Sequence, residues 1–495
     1  MKFAKTVGTL PLLFALLLGA SACGEVAETQ PMSDTAQTEP SAETESAAPE
    51  ETYRYPELDL GGAEFPILNA DCASWGFYSR LDSPEQDGEA LNDAFYLRNR
   101  TVEEQFNTKI AVTEVWIDDC ARSLLKVVTA GDDVYSAASV ARYTLPVLLN
   151  ANALLDLKTV DGLRLDEVWW DQDSQKLFDI GNLGIVRFAA CDISLTGLEC
   201  TVCTFFNERI ASLLDLESPY QIVRDGKWTF DRMMEFSKTA ANLNGDDNFK
   251  FKQGGNARYG IVSYSTFPDA MMYAAGEASA LLDADGIPYL AYGGDRFFGV
   301  TEKIASFTSQ PGIFNEFNDT TKGEYYEDIF RDGRSLLTIA QVKTAQRLRS
   351  MDDNFGILPM PKYEEEQDAY HCFTTGTQEV LCMPVTVGDA GSAGIVADAL
   401  AYLSYSEVMP TYYDISLTQK GIRNEDSVEM MALIRDNRVM DIGATFGWTE
   451  TLRSKIESTL MRGKTDLASE IAKQTEKIQQ NIDKTLEDLL NIDNG

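Results

Sequence analysis

One histidine, His371, serves all 495 residues. That scarcity removes from almost the whole chain the side chain most used as a general base and as a metal ligand. Hydrolase signatures are missing as well: neither G-x-S-x-G nor H-E-x-x-H occurs, and a lone His371, expected in a surface loop after Tyr370, has no triad partners to serve. Positive charge is also short. The 42 Lys and Arg face 78 Asp and Glu, for a net charge of −36. Nucleic-acid phosphates and anionic lipid surfaces would both repel such a chain, which argues against either as a direct partner. A glycosidase needs two carboxylates at a set separation, and among 78 acidic residues no pair stands out. Internal repeats and phosphate-cradling glycine loops are absent. No enzyme activity, cofactor or metal is expected.

What is present suits a large folded protein. The length exceeds what one core serves, so two domains or lobes are expected; apolar residues make up 44% of the chain, with twenty tyrosines. Lys2 and Lys5 precede an apolar stretch, Thr6 to Ala20, too short for a comfortable membrane span. Ala20-Ser21-Ala22-Cys23 follows. This resembles a bacterial lipoprotein signal, with Ala20 where Leu is usual. It implies that residues 1–22 are a signal peptide and that Cys23 carries the lipid, which would be the only link to a membrane; plain secretion after an A-x-A-like site is the alternative. Residues 23–55 are rich in Glu, Thr, Ser, Ala and Pro, a composition that cannot bury enough surface to fold, and read as a disordered acidic tether. Beyond Cys23 seven cysteines remain, an odd number that cannot all pair internally. Cys200-Thr-Val-Cys203 lacks the second pair that zinc needs, and small buried residues on a strand are the favoured reading. Asn242 to Asn248 alternates oxygen-bearing side chains but places Asp247 and Gln253 where an EF-hand needs Gly and Glu, so a polar turn is preferred to a calcium site.

Along the chain, Phe65 to Asn69 reads as a first strand, which Pro66 delays. Glu89 to Phe106 reads as an amphipathic helix, Lys109 to Trp116 as a second strand and Asp132 to Val140 as a third. Of the adjacent pair Trp169-Trp170, one is expected in the core and the other near the surface. Thr229 is a natural N-cap. Leu336 to Ala340 reads as a buried strand and Val342 to Arg349 as a helix. Pro359 and Pro361 exclude a central strand, so Gly356 to Lys362 is expected to be an extended crossing segment. Glu379 to Val385 reads as a strand, Ala390 to Ser404 and Val428 to Asp436 as helices, and a last helix begins near Asp466.

Gly333-Arg334-Ser335, the apolar strand, the helix, then Phe355-Gly-Ile-Leu-Pro-Met-Pro-Lys-Tyr363 with Gln367 and Tyr370 resembles the extracellular solute-binding proteins of bacterial ABC importers, within them the carbohydrate-type family 1 group that includes maltose-binding protein. Leu91-Asn-Asp-Ala94 with Arg98-Asn-Arg100, Phe205-Phe206-Asn207 and Asp441 to Trp448 are similar to further parts of that family, and the resemblance runs from about Tyr55 to the C-terminus. It implies an α/β, two-lobed, type II periplasmic-binding-protein-like fold, each lobe a mainly parallel sheet flanked by helices, with several hinge crossings. Residues 56–195 plus 360–405 would form lobe 1 and residues 196–359 plus 406–495 lobe 2, with a first crossing near residues 192–205. The implied function is capture of a sugar or oligosaccharide outside the cell, as a monomer, and delivery to ABC permease subunits; the importer's ATPase would be another chain. A peptide or other solute, or surface glycan capture without transport, stays open. Sugars present apolar C–H faces and hydroxyl edges, so a site needs aromatic plates and a polar rim. The layout implies Trp75, Tyr143, Tyr264, Phe267, Tyr273 and Trp448 as plates, and Asn69, Asp71, Arg142, Asp192 and Gln341 as rim groups.

Overall fold

The computed structural model describes residues 53–418 and 425–492. The expected signal peptide, Cys23 and Gly421 to Asn424 lie outside them. The tether boundary at residue 55 is corrected: Tyr53 is already buried, stacked on Tyr402 at 4.3 Å between ring centroids, and its hydroxyl donates to Asp398. Two closely spaced tyrosines bury enough ring surface to join the core.

Nine strands build two main sheets: β1 (Glu64–Asp71), β2 (Lys109–Trp116), β3 (Ala137–Ala141), β4 (Val202–Asn207), β5 (Tyr259–Ser263), β6 (Phe314–Glu316), β7 (Ser335–Gln341), β8 (Phe355–Leu358) and β9 (Glu379–Cys382). The first sheet has the order β9-β3-β1-β2, with only β9 antiparallel to its neighbour. Successive side chains of a strand point to opposite faces, and both faces of this sheet are covered. Phe65 and Ile67 pack with Val102 and Phe106 of helix α1 (Ala90–Phe106). Leu68 and Ala70 pack with Ile117, Cys120 and Leu124 of helix α2 (Ile117–Ala130). Burial on both sides explains the near-continuous apolar run of β1. Pro66 sits inside β1 rather than before it. Its carbonyl accepts from Ser136 N, so it faces the β3 side, where strand pairing begins only at Ile67, and its missing N–H breaks no ladder bond.

The second sheet has the order β8-β4-β7-β5-β6. β4 runs against both its neighbours while β7, β5 and β6 are parallel, so four of the five strands share one direction. One continuous apolar cluster, including Phe205, Ile261, Phe267, Ile339 and Ile357, fills this lobe. Asp132 to Ser136, expected as strand, leads into the shorter β3. The helix expected at Val342 to Arg349 is one turn, Thr344–Arg347, continued by a 3-10 turn at Leu348–Ser350. Trp169 and Trp170 are both buried, against the expectation that one lies near the surface: each donates its indole N–H to Asp398 Oδ1 at 3.0 Å, so a buried carboxylate holds both rings inward.

Among the described residues the chain passes between the sheets three times. The first passage separates Ala189, bridged to Leu381, from β4. The second was expected at Gly356 to Lys362. Instead β8 is an edge strand of the second sheet, Lys362 exchanges backbone bonds with Trp228 and Phe230, and the Tyr370 hydroxyl bonds Val223 O. The chain reaches the first sheet only at β9. The prolines stop the strand, as their missing N–H requires, but the segment after them stays on the second lobe. In the third passage, helix Ala390–Leu403 runs through a π-helical stretch, Ser404–Val408, into helix Met409–Thr418.

Candidate functional site

The carboxyl ends of β1, β2 and β3 lie side by side, where open α/β sheets bind ligands. After β1 the chain turns through Ala73–Trp75 and is reversed by Gly76 at φ 85°, a conformation that favours glycine. This turn presents Trp75, which is 38% exposed. Trp116 closes β2 and is 37% exposed; Tyr143 follows β3 and is 40% exposed. The Trp75 ring stands edge-on to Trp116 at 5.1 Å and 86°. The Tyr143 hydroxyl donates to Asp118 Oδ1 at 2.5 Å. Burial first, then that hydrogen bond, raises the pKa of the hydroxyl.

The second lobe answers with polar groups. Gln341 ends β7 and donates to Thr375 Oγ1 at 3.1 Å. Lys343 Nζ reaches the Trp75 carbonyl at 2.5 Å and lies 4.2 Å from the Phe77 ring centroid; burial lowers its pKa. Arg347 approaches Gly76 and pairs with the buried Glu327 at 2.7 Å. Tyr264, after β5, stacks on Tyr326 at 5.1 Å and 14°.

At the hinge, Glu199 on the first passage is fully buried. Its carboxylate accepts from Tyr78 N at 2.7 Å, from Gln346 Nε2 at 2.9 Å and from the Tyr412 hydroxyl at 3.2 Å. One side chain thereby touches both lobes and the third passage. Burial pushes its pKa up to about 8, against the pull of those donors. Burial also holds Glu379 well above the usual carboxyl range, although Ser139 Oγ donates to it at 3.1 Å.

Of the expected site residues, Trp75, Tyr143, Tyr264, Asp71, Asp192 and Gln341 are at least partly accessible. Asp71 accepts from Ala73 N at 2.9 Å, which shapes the Trp75 turn. Asp192 is half-buried on the first passage, where burial raises its pKa and Arg438 opposes the rise. The rest sit differently. Asn69 is buried and donates to Ser79 O and to Glu114 Oε2, bracing the same loop from beneath. Arg142 is buried and spends its donors on Thr374 O, Thr375 O, Gln378 Oε1 and Thr445 Oγ1, so it pins the second passage and is no rim group. Phe267 is 0% exposed and packs on Phe307 and Phe314. Tyr273 is buried, stacked on Phe373 at 4.0 Å; Trp448 is buried, stacked on Phe446 at 5.0 Å, with its indole N–H on Thr485. These three rings are core as the chain stands. Sequence reasoning missed Trp116, Asp118, Lys343, Arg347 and Glu199. Trp116 carries the same signal as Trp75, an aromatic at a strand's carboxyl end.

A small surface cavity is lined by Leu148, Asn150, Arg187, Phe446, Thr485 and Leu489. No group of three His, Cys, Asp or Glu side chains among the described residues is placed to hold a metal. Asp246 in the expected polar turn accepts instead from Asn256 N and Ala257 N. The seven described cysteines are free thiols, and no described helix is long and apolar enough to cross a membrane.

No protein-family model matches the chain, and no curated protein does. Solved structures do match. The cyclic alpha-maltosyl-1,6-maltose binding protein of Arthrobacter globiformis aligns over 85% of this chain and 99% of its own, at TM-score 0.56 and 12% identity. An ABC substrate-binding protein of Listeria monocytogenes in complex with cycloalternan aligns over 86% and 99%, at 0.54 and 13%. UgpB of Mycobacterium tuberculosis in complex with glycerophosphocholine aligns over 87% and 100%, at 0.52 and 15%. At this identity the likeness shows the fold: two lobes of the type II periplasmic-binding kind.

Proposed function

From that fold we propose that the chain is a substrate-binding protein of an ABC importer that captures a sugar or oligosaccharide and does nothing chemical to it. The observation that carries this reading is the row Trp75, Trp116 and Tyr143, exposed at three adjacent strand ends opposite Gln341, Lys343 and Arg347 of the other lobe. Flat rings suit the C–H faces of a sugar and the polar wall suits its hydroxyls. The sugar-binding neighbours place carbohydrate in proteins of this fold, which supports the same ligand class here. Trp75, Tyr143, Tyr264, Asp71, Asp192 and Gln341 are the sequence-chosen residues still accessible to a ligand; Asn69 and Arg142 hold the loop and the second passage.

In this reading residues 53–195 with 379–404 form lobe 1, and residues 202–373 with 425–492 form lobe 2. Ligand bridging the two walls shifts the lobes toward a closed population, and the closed form docks on permease subunits. Cys23 would anchor the protein to the outer face of a bacterial membrane by lipid. Calorimetry of residues 53–495 against saccharide and peptide panels tests the ligand class: saturable binding of a saccharide is expected, and binding of peptides alone would overturn the reading. Mass spectrometry of the cell-derived N-terminus tests the anchor, with a diacylated Cys23 expected and an unmodified residue after a signal cleavage contradicting it.

A further inference from the structure

We propose that Asp118 is a positioning residue that locks an aromatic platform built for an oligosaccharide of several units. The inference rests on the sugar-binding reading above and narrows its ligand. Each Asp118 carboxylate oxygen takes one ring: Tyr143 Oη donates to Oδ1 at 2.5 Å and Trp116 Nε1–H to Oδ2 at 3.1 Å. Trp75 then leans edge-on against Trp116. The three rings come from the ends of β3, β1 and β2, which are neighbours in that order. The Trp75 and Trp116 centroids alone are 5.1 Å apart, and Tyr143 extends the row on the other side of Asp118, so the three rings together offer more surface than one sugar ring covers.

Exposure points the same way. Among the described residues five aromatic side chains are exposed to this degree, Tyr289 and Tyr405 being the other two, and three of the five meet here. Clustered apolar surface on a soluble protein marks a binding site. Rings already held in one orientation lose little freedom when a ligand settles on them, which favours affinity. Asp118 itself lies in the first turn of the 14-residue helix α2, which fixes where its carboxylate sits.

The platform predicts that affinity climbs with chain length. The test titrates wild type, Asp118→Ala, Tyr143→Phe and the double variant with gluco-, xylo- and manno-oligosaccharides of one to six units. It also records the circular-dichroism signal of the coupled Trp75–Trp116 pair without ligand. In wild type the trimer should bind at least tenfold tighter than the monomer. Asp118→Ala should erase most of that gain and alter the tryptophan signal, with its unfolding midpoint close to wild type. Tyr143→Phe keeps the ring and loses its bond to Asp118, so it should lose part of the gain and add little on top of Asp118→Ala. Equal affinity for monomer and hexamer, or an Asp118→Ala protein with wild-type length dependence and an unchanged tryptophan signal, would overturn the inference and leave the sugar-binding reading standing. No binding of any saccharide by wild type would overturn both.

Discussion

The two walls of the cleft use aromatic residues in opposite ways. On the first lobe Trp75, Trp116 and Tyr143 stand exposed at strand ends, while the apolar core beneath is divided between the two faces of the sheet. On the second lobe Phe267 and Tyr273 are drawn into one large core with Trp448, and the surface facing the first lobe carries Gln341, Lys343 and Arg347 beside one partly accessible ring, Tyr264. One wall offers three exposed rings and the other mostly donors. A ring's chemistry is the same in both places; what differs is whether its neighbours leave it a face to offer.

The largest effect that separates the walls should come from Phe267→Ala. Emptying a fully buried site costs about 3–5 kcal/mol, read as a lower midpoint in denaturant unfolding, while protein that remains folded keeps near-wild-type sugar affinity. A strong affinity loss at intact stability would instead place Phe267 in the cleft. Arg142→Met should cost about 1–3 kcal/mol by stranding the carbonyls of Thr374 and Thr375. Because those carbonyls belong to the second passage, small-angle scattering should also show a wider spread of lobe arrangements. Trp75→Ala should do the reverse of Phe267→Ala: unfolding stays within about 0.5 kcal/mol of wild type and affinity falls at least tenfold, about 1.4 kcal/mol. The smallest effect is a slope. Glu199 titrates in the folded state near 8, above its ordinary value of 4.5. Its contribution to stability is therefore fully present below the ordinary value and is lost as pH rises toward 8. Glu199→Gln should flatten stability against pH in that window by up to about 1.4 kcal/mol per pH unit, and a parallel pair of curves would contradict the assignment.

Much of this fold is legible in the chain. The run Leu336–Ala340 falls within β7, and Ala390 to Ser404 within one residue of the helix Ala390–Leu403, because sustained apolar patterns have few alternatives. Passage points are less legible. Pro359 and Pro361 announce the end of a strand, yet which sheet the next residues lean on is decided by partners as distant as Trp228 and Val223. The site is legible by position more than by residue type: Trp75, Trp116 and Tyr143, at or just beyond the carboxyl ends of β1, β2 and β3, are exposed, whereas aromatic residues inside helices, such as Phe267 and Tyr273, are core. Asp118 carries no signal of its own in sequence, since its role exists only once Trp116 and Tyr143 are brought together.

The location of the ligand tests this account most directly. A crystal structure of residues 53–495 with a saturating oligosaccharide should show sugar rings lying on Trp75, Trp116 and Tyr143, with hydroxyls met by Gln341 or Lys343 from the other lobe. Sugar seated instead in the cavity around Phe446 and Leu489, with the three exposed rings bare, would contradict it.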